Sequence, residues 1–206
     1  MGCSQKSAPR ALRTIPYPLS PIAFLPTHLT PAPTSTTRSD MATDDQLVNL
    51  VTKVGAHLRE GERRLVTAES CTGGWIGKAL TDVAGSSDWY LGGVVSYSNT
   101  LKQMLLGVLP SALAAHGAVS EEVAREMAIG ALETLGGHVA VSVTGIAGPE
   151  GGQPGKQVGT VWFAWAWRQG DEIETRVAQE CFAGDREAVR RQSVARALGG
   201  ILQLEL

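Results

Sequence analysis

The chain is 206 residues long, 43% hydrophobic and 18% charged, which leaves room for one sizeable domain. Its 18 Lys and Arg against 20 Asp and Glu leave a net charge of −2, which argues against a strongly basic nucleic-acid binder. No apolar run approaches the roughly 18 residues of a membrane span. Three cysteines (Cys3, Cys71, Cys181) give neither a disulfide framework nor paired metal-ligand spacing, so the expected setting is a reducing one, the cytoplasm.

Proline divides the chain. Pro9, Pro16, Pro18, Pro21, Pro26, Pro31 and Pro33 crowd the first 33 residues, and only Pro110, Pro149 and Pro154 follow. Residues 1–39 carry Lys6, Arg10, Arg13 and Arg38 with no acidic residue. Proline at that density removes backbone donors and blocks helix, so 1–40 reads as a disordered extension and 41–206 as the folded domain. The apolar stretch at 22–25 is flanked by prolines, unlike a signal peptide, and Lys6 stands where myristoylation wants Ser or Thr. An acid-poor basic leader is shared with transit peptides, but the prolines break the amphipathic helix those use. Met41 directly precedes a helix start, so the extension reads best as lying upstream of the true start.

Thr43-Asp44-Asp45-Gln46 is a capping box, followed by Leu47, Leu50, Val51, Val54 and Leu58 at helical spacing, with Gly61 as the stop. A short strand at 65–68 runs into Glu69-Ser70-Cys71-Thr72-Gly73-Gly74, and 75–83 reads as a second helix stopped by Gly85. Residues 94–97 form a strand, after which Asn99 is the candidate cap of a helix reaching Leu106. Ser120 caps a longer helix whose Val123, Ala124, Met127, Ala128, Ala131, Leu132 and Leu135 make one apolar stripe. A buried strand at 138–143 ends at Thr144-Gly145, and the long loop 145–157 follows. Two strands, 158–167 and 173–182, are joined through Arg168-Gln169-Gly170-Asp171, and a last helix spans 185–202. Alternating helices and strands with one late hairpin give a three-layer α/β/α sandwich with a mixed sheet.

Three strand ends combine hydroxyls with glycine-rich backbone, and ligands of α/β sheets sit beyond the carboxyl ends of strands. Ser70 is a candidate nucleophile, with the Gly73 and Gly74 amides at a helix start available for an oxyanion or phosphate. On local sequence alone a helix-capping serine is the commoner reading. His28, His57, His116 and His138 all fall away from the strand ends, which disfavours a Ser-His-Asp triad. Lys102, on the first turn after Tyr97-Ser98-Asn99, is a candidate base if desolvated; spacing alone favours a solvated lysine. Cys71 is a rival nucleophile or a small core residue. Trp162, Trp165 and Trp167 read as core and interface packing. Among the arginines of the last helix, Arg186 at its start is the one best placed for an anion.

At these segments the sequence resembles the CinA C-terminal domain family. The resemblance rests on TAESCTGG (67–74), AGSSDWYLGGVVSYSN (84–99), HGAVSEE (116–122), VSVTGIAGPEGG (141–152), VGTVWFA (158–164) and GDREAVR (184–190). It runs from about residue 44 to 202 and leaves the proline-rich extension outside; the molybdopterin-binding-like domain of two-domain members has no counterpart here. The resemblance implies a metal- and cofactor-independent Ser/Lys amidohydrolase that converts nicotinamide mononucleotide to nicotinic acid mononucleotide and ammonia in pyridine-nucleotide salvage. It makes Ser70 the nucleophile and Lys102 the base, reversing the odds set by spacing, with Tyr97 orienting the pair. Thr72, Gly73, Gly74, Asn99, Thr144, Gly145 and Gly148 become expected substrate contacts, and Arg186 and Arg190 candidates for the 5′-phosphate. The expected partners are this small nucleotide and a second copy of the chain through the tryptophan strand, without nucleic acid or membrane. The competing reading is a nucleotide-sensing or partner-binding module without turnover, of the kind the family's association with competence and DNA damage suggests.

Overall fold

The structure, a computed structural model, describes residues 42–206. The expected extension at 1–40 and the start at Met41 lie outside the described residues. Helix α1 (Asp44–Glu60) opens on the anticipated capping box: Thr43 Oγ1 accepts from the Gln46 amide at 3.2 Å, and Gln46 Oε1 accepts from the Thr43 amide at 2.8 Å. Strand β1 (Leu65–Glu69), helix α2 (Trp75–Thr81), strand β2 (Tyr90–Val95) and helices α3 (Asn99–Leu106), α4 (Pro110–His116) and α5 (Glu121–Leu135) follow. Strands β3 (Val139–Gly145), β4 (Thr160–Gln169) and β5 (Glu172–Cys181) lead to helix α6 (Arg186–Ile201).

The five strands form one sheet in the order β2-β1-β3-β4-β5, with β2, β1 and β3 parallel and β4 and β5 antiparallel. Side chains alternate across it. Leu65, Val139, Val141, Val143, Phe163 and Trp165 face a core shared with α1, α2 and α6. Val66, Ala68, Ala140, Ala164 and Ala166 face a second core under α5. This is the mixed three-layer α/β/α arrangement expected from the sequence. Each fully buried Leu or Val in the two cores stabilises the fold by about 1.5–3 kcal/mol.

The chain leaves β1 toward the α2 layer and β2 toward the α3–α5 layer. Adjacent strands whose connections depart to opposite faces open a crevice at their carboxyl ends. Ser70, Ser96 and Thr144 stand at or just beyond those ends. Two glycines set the local geometry. A Cβ at Gly93 would collide with Thr67 Oγ1 across the β1–β2 pair, and one at Gly130 would collide with the Leu106 carbonyl, so Gly130 lets α3 dock on α5.

Some boundaries differ from the sequence expectation. β2 begins at Tyr90 rather than 94, because the Gly92-Gly93 pair answers a close approach and a bulge instead of breaking the strand. Ser98, not Asn99, caps α3: its backbone is extended and its hydroxyl accepts from the Leu101 amide at 3.2 Å, while Asn99 is already helical and exposed. The tryptophan strand β4 lies inside the sheet between β3 and β5, and Trp165 is fully buried with its Nε1 donating to the Ala197 carbonyl at 2.9 Å. Trp162 and Trp167, on the same strand, are half-buried at the margins of the two cores.

Candidate active site

The turn after β1 carries the site. Ser70 is nearly buried, its amide donating to the Val143 carbonyl at 3.0 Å, so its position is tied to β3. Lys102, thirty-two residues on, is 1% exposed and its Nζ lies 2.8 Å from Ser70 Oγ and 2.6 Å from the Ser96 carbonyl. Burial lowers its pKa from 10.5 to about 8, because an ammonium loses hydration there and gains no carboxylate in return. A serine hydroxyl and a lysine that is easily neutralised thus share a hydrogen bond in a dry site.

Helix α3 decides this contact. Residues 102 and 106 share its inner face, so docking Leu106 on α5 also turns Lys102 inward. The buried lysine reverses what spacing favoured, and the reason is tertiary: β2 and α3 bring residue 102 over the end of β1.

Glu69, to which sequence reasoning gave no role, organises the turn. This 2%-exposed carboxylate accepts from the amides of Gly74 at 3.0 Å, Ile76 at 3.0 Å and Gly77 at 2.8 Å, the orphan donors at the start of α2. A signal was available: an acidic residue ending a strand directly before a glycine-rich helix start. The Gly73 amide donates to the Ser70 carbonyl at 3.1 Å. The Gly73 and Gly74 amides are therefore already used and are not the free donors the sequence suggested. No backbone carbonyl among the described residues accepts from the amides of Cys71 or Thr72, which follow the serine directly. Two further hydroxyls, Thr72 Oγ1 and Ser96 Oγ, are buried without partners among the described residues, a cost that structures tend to concentrate at functional sites.

Two cavities adjoin the turn. One of about 200 Å³ is lined by Ser70, Tyr97, Lys102, Thr144, Gly145 and Arg186 among others. The other, about 630 Å³, is lined by Gly73, Gly74, Trp75, Lys78, Arg186, Glu187 and Arg190. Arg186 belongs to both walls; its guanidinium donates to the Gly148 carbonyl at 2.8 Å and to Tyr97 Oη at 2.9 Å. Arg190 lies over the Trp75 ring and donates to the Cys71 carbonyl at 3.1 Å and the Thr72 carbonyl at 2.7 Å, holding the nucleophile turn. Thr144 Oγ1 donates to the Ala118 carbonyl at 2.8 Å.

Asn99 and Thr72 line neither cavity. Burial pushes the Cys71 thiol up to about 12, so it stays protonated and is a poor nucleophile despite its place beside Ser70. The three histidines among the described residues are engaged elsewhere, with His57 on the Leu204 carbonyl, His138 on the Arg64 amide and His116 near Glu122. No group of three or more His, Cys, Asp or Glu suited to a metal occurs among the described residues. No described helix is long and apolar enough to cross a membrane.

The sequence profile of the CinA C-terminal domain matches residues 47–204. The chain belongs to the CinA C-terminal domain family. Within the family, it is 53% identical over 161 residues to the nicotinamide-nucleotide amidohydrolase PncC of Escherichia coli K12, covering 78% of this chain and 96% of that protein. The PncC protein of Pseudomonas putida is 49% identical over 160 residues, covering 78% and 98%. Among solved structures, competence damage-inducible protein A from Klebsiella pneumoniae superposes with a TM-score of 0.72 at 41% identity, covering 76% of this chain and 95% of that one.

Proposed function

We propose that this family member is a nicotinamide-nucleotide amidohydrolase that releases ammonia from nicotinamide mononucleotide and leaves nicotinic acid mononucleotide. The observation that carries the reading is the 2.8 Å contact between Ser70 Oγ and a buried Lys102. The reaction named for the curated relatives at about half identity supplies the substrate.

Ser70 Oγ attacks the carboxamide carbon while Lys102 Nζ takes the hydroxyl proton. The oxyanion faces the Cys71 amide, a donor that the turn leaves without a backbone acceptor and whose residue lines the smaller cavity. Lys102 returns the proton to the departing nitrogen, ammonia leaves, and an ester to Ser70 remains. Water then adds to the ester with Lys102 again taking a proton, and the acid product frees Ser70. Tyr97 is positioned by Arg186 at the mouth of the smaller cavity. The nicotinamide ring occupies that cavity beside Thr144 and Gly145, and Gly148 contributes through the carbonyl that fixes Arg186.

The larger cavity, lined by Lys78, Arg186 and Arg190 against a single carboxylate, Glu187, suits the ribose phosphate along the Gly73-Gly74 edge. Because the Arg190 guanidinium already serves two carbonyls, its main part is to hold the turn, and Arg186 is the better phosphate ligand. The folded domain at 41–206 carries this chemistry. An ammonia-release assay with nicotinamide mononucleotide, free nicotinamide and a pyrimidine nucleotide tests the reading. Turnover of the first alone supports it; tight binding of the mononucleotide without ammonia would instead favour the sensing module.

A further inference from the structure

The long loop between β3 and β4 turns most of its side chains to solvent. From residue 149 to 157 every residue is exposed except Lys156, although lysine is among the residues least often turned inward. A tight turn places it. The Gln153 amide donates to the Lys156 carbonyl at 3.0 Å and the Lys156 amide to the Gln153 carbonyl at 2.9 Å. Pro154 and Gly155 form the centre, with Gly155 at φ +79°, the positive value that a type II turn requires there. The turn carries the side chain over Gly117, where a Cβ would stand 3.6 Å from Lys156 Nζ. The ammonium donates to the His116 carbonyl, in the last turn of α4, where the helix itself supplies no amide.

This bond joins two walls of the site. Ala118 and Val119, just after His116, line the smaller cavity beside Ser70 and Lys102, and so do Gly145 and Ala147 at the start of the β3–β4 loop. No backbone hydrogen bond links 116–119 to 144–158 among the described residues, and neither the Ala118 nor the Val119 amide has a backbone acceptor there. The segment is held through its carbonyls instead. Those of His116, Gly117 and Ala118 accept in turn from Lys156 Nζ, Ser120 Oγ at 2.9 Å and Thr144 Oγ1 at 2.8 Å. Ser120 is a near neighbour in the chain, so only Lys156 and Thr144 tie the segment to the far wall. Lys156 itself lines neither cavity.

We propose that Lys156 is a positioning residue for the amidohydrolase reaction: by tying the β3–β4 loop to the end of α4, it fixes the Ala118–Val119 wall that aims the carboxamide at Ser70 Oγ. The role rests on the amidohydrolase reading. The larger cavity, which takes the phosphate, is not bordered by Lys156, so losing this tie acts on orientation more than on affinity. Attack requires reacting atoms about 3–3.5 Å apart, and a misplacement of about 1 Å costs about a hundredfold in rate.

Steady-state ammonia release from nicotinamide mononucleotide by the full chain tests this, with Lys156→Met and Lys156→Arg beside the wild type and Tm measured for each. Methionine keeps the length and removes the donors; arginine keeps donors within reach of the same carbonyl. Lys156→Met should lower kcat about ten- to a hundredfold while KM stays within about threefold. Its Tm should stay within about 2 °C of the wild type, and Lys156→Arg should recover at least about a third of wild-type kcat. A merely structural lysine would lower Tm without separating kcat from KM. Wild-type kcat in Lys156→Met overturns the proposal, as does a change confined to KM, a Tm loss above about 5 °C, or a kcat that arginine does not restore. A wild type that releases no ammonia defeats the amidohydrolase reading itself, and this role with it.

Discussion

Replacing Lys102 by methionine keeps the length of the side chain and removes its charge. The buried ammonium is held at a cost: a pKa lowered from 10.5 to about 8 corresponds to about 3 kcal/mol at pH values below 8. Its hydrogen bonds to Ser70 Oγ and the Ser96 carbonyl offset part of this, at about 1 kcal/mol each. Lys102→Met should therefore leave stability unchanged or raise it by about 1 kcal/mol, a Tm gain of about 2–4 °C for a domain of this size. The sign of the pH dependence follows from the lowered pKa. Between about pH 8 and 10.5 the unfolded chain binds more protons at this lysine than the folded one, so wild-type stability rises with pH through that window. The variant should lack that rise.

Catalysis moves the other way. At pH 7 roughly one Lys102 in ten is neutral, against roughly one in three thousand for an ordinary lysine. Wild-type kcat/KM should climb about tenfold per pH unit below 8 and level off above it, while Lys102→Met should release no ammonia at any pH. Thermal melts at pH 7 and 9.5, with ammonia assays from pH 6 to 9.5, check both halves. A fall of more than about 5 °C in the variant's Tm at pH 7 would refute the cost assigned to the buried cation. Retained turnover would refute its role as the base.

Ser70→Ala should abolish ammonia release with the fold intact, whereas Cys71→Ala should keep activity within about tenfold, since its thiol stays protonated and only packing is lost; paired rate measurements distinguish the two. Glu69→Ala strands three amides at the start of α2 and should cost at least about 3 kcal/mol in urea unfolding, with Glu69→Gln intermediate. Arg190→Ala should lower kcat more than it raises KM, because the arginine holds the Cys71 and Thr72 carbonyls, and Arg186→Ala should chiefly raise KM for the phosphorylated substrate. The chain trimmed to 42–206 should retain the kcat/KM of the full chain, measured side by side.

Much of this fold follows from local chemistry. The capping box at Thr43 and the stripe of α5 are short-range patterns, each legible where it stands. The placement of Ser70 at a strand end was legible for the same reason. The boundaries that shifted did so where a distant contact outweighed a local preference, as when Gly93 meets Thr67 across the sheet.

What the sequence alone determined is the set of parts: two apolar faces for a sheet, a serine on a glycine-rich turn, a lysine after a second strand. Only the tertiary structure decided their partners. Docking α3 on α5 at Gly130 buried Lys102 beside Ser70 and lowered its pKa. Folding α2 back on β1 gave the glycine amides to Glu69 and left those of Cys71 and Thr72 without backbone acceptors. The physical reason is range. A cap or a periodic stripe is settled within a few residues, whereas desolvation and hydrogen bonding between residues 32 apart depend on which elements come to lie together.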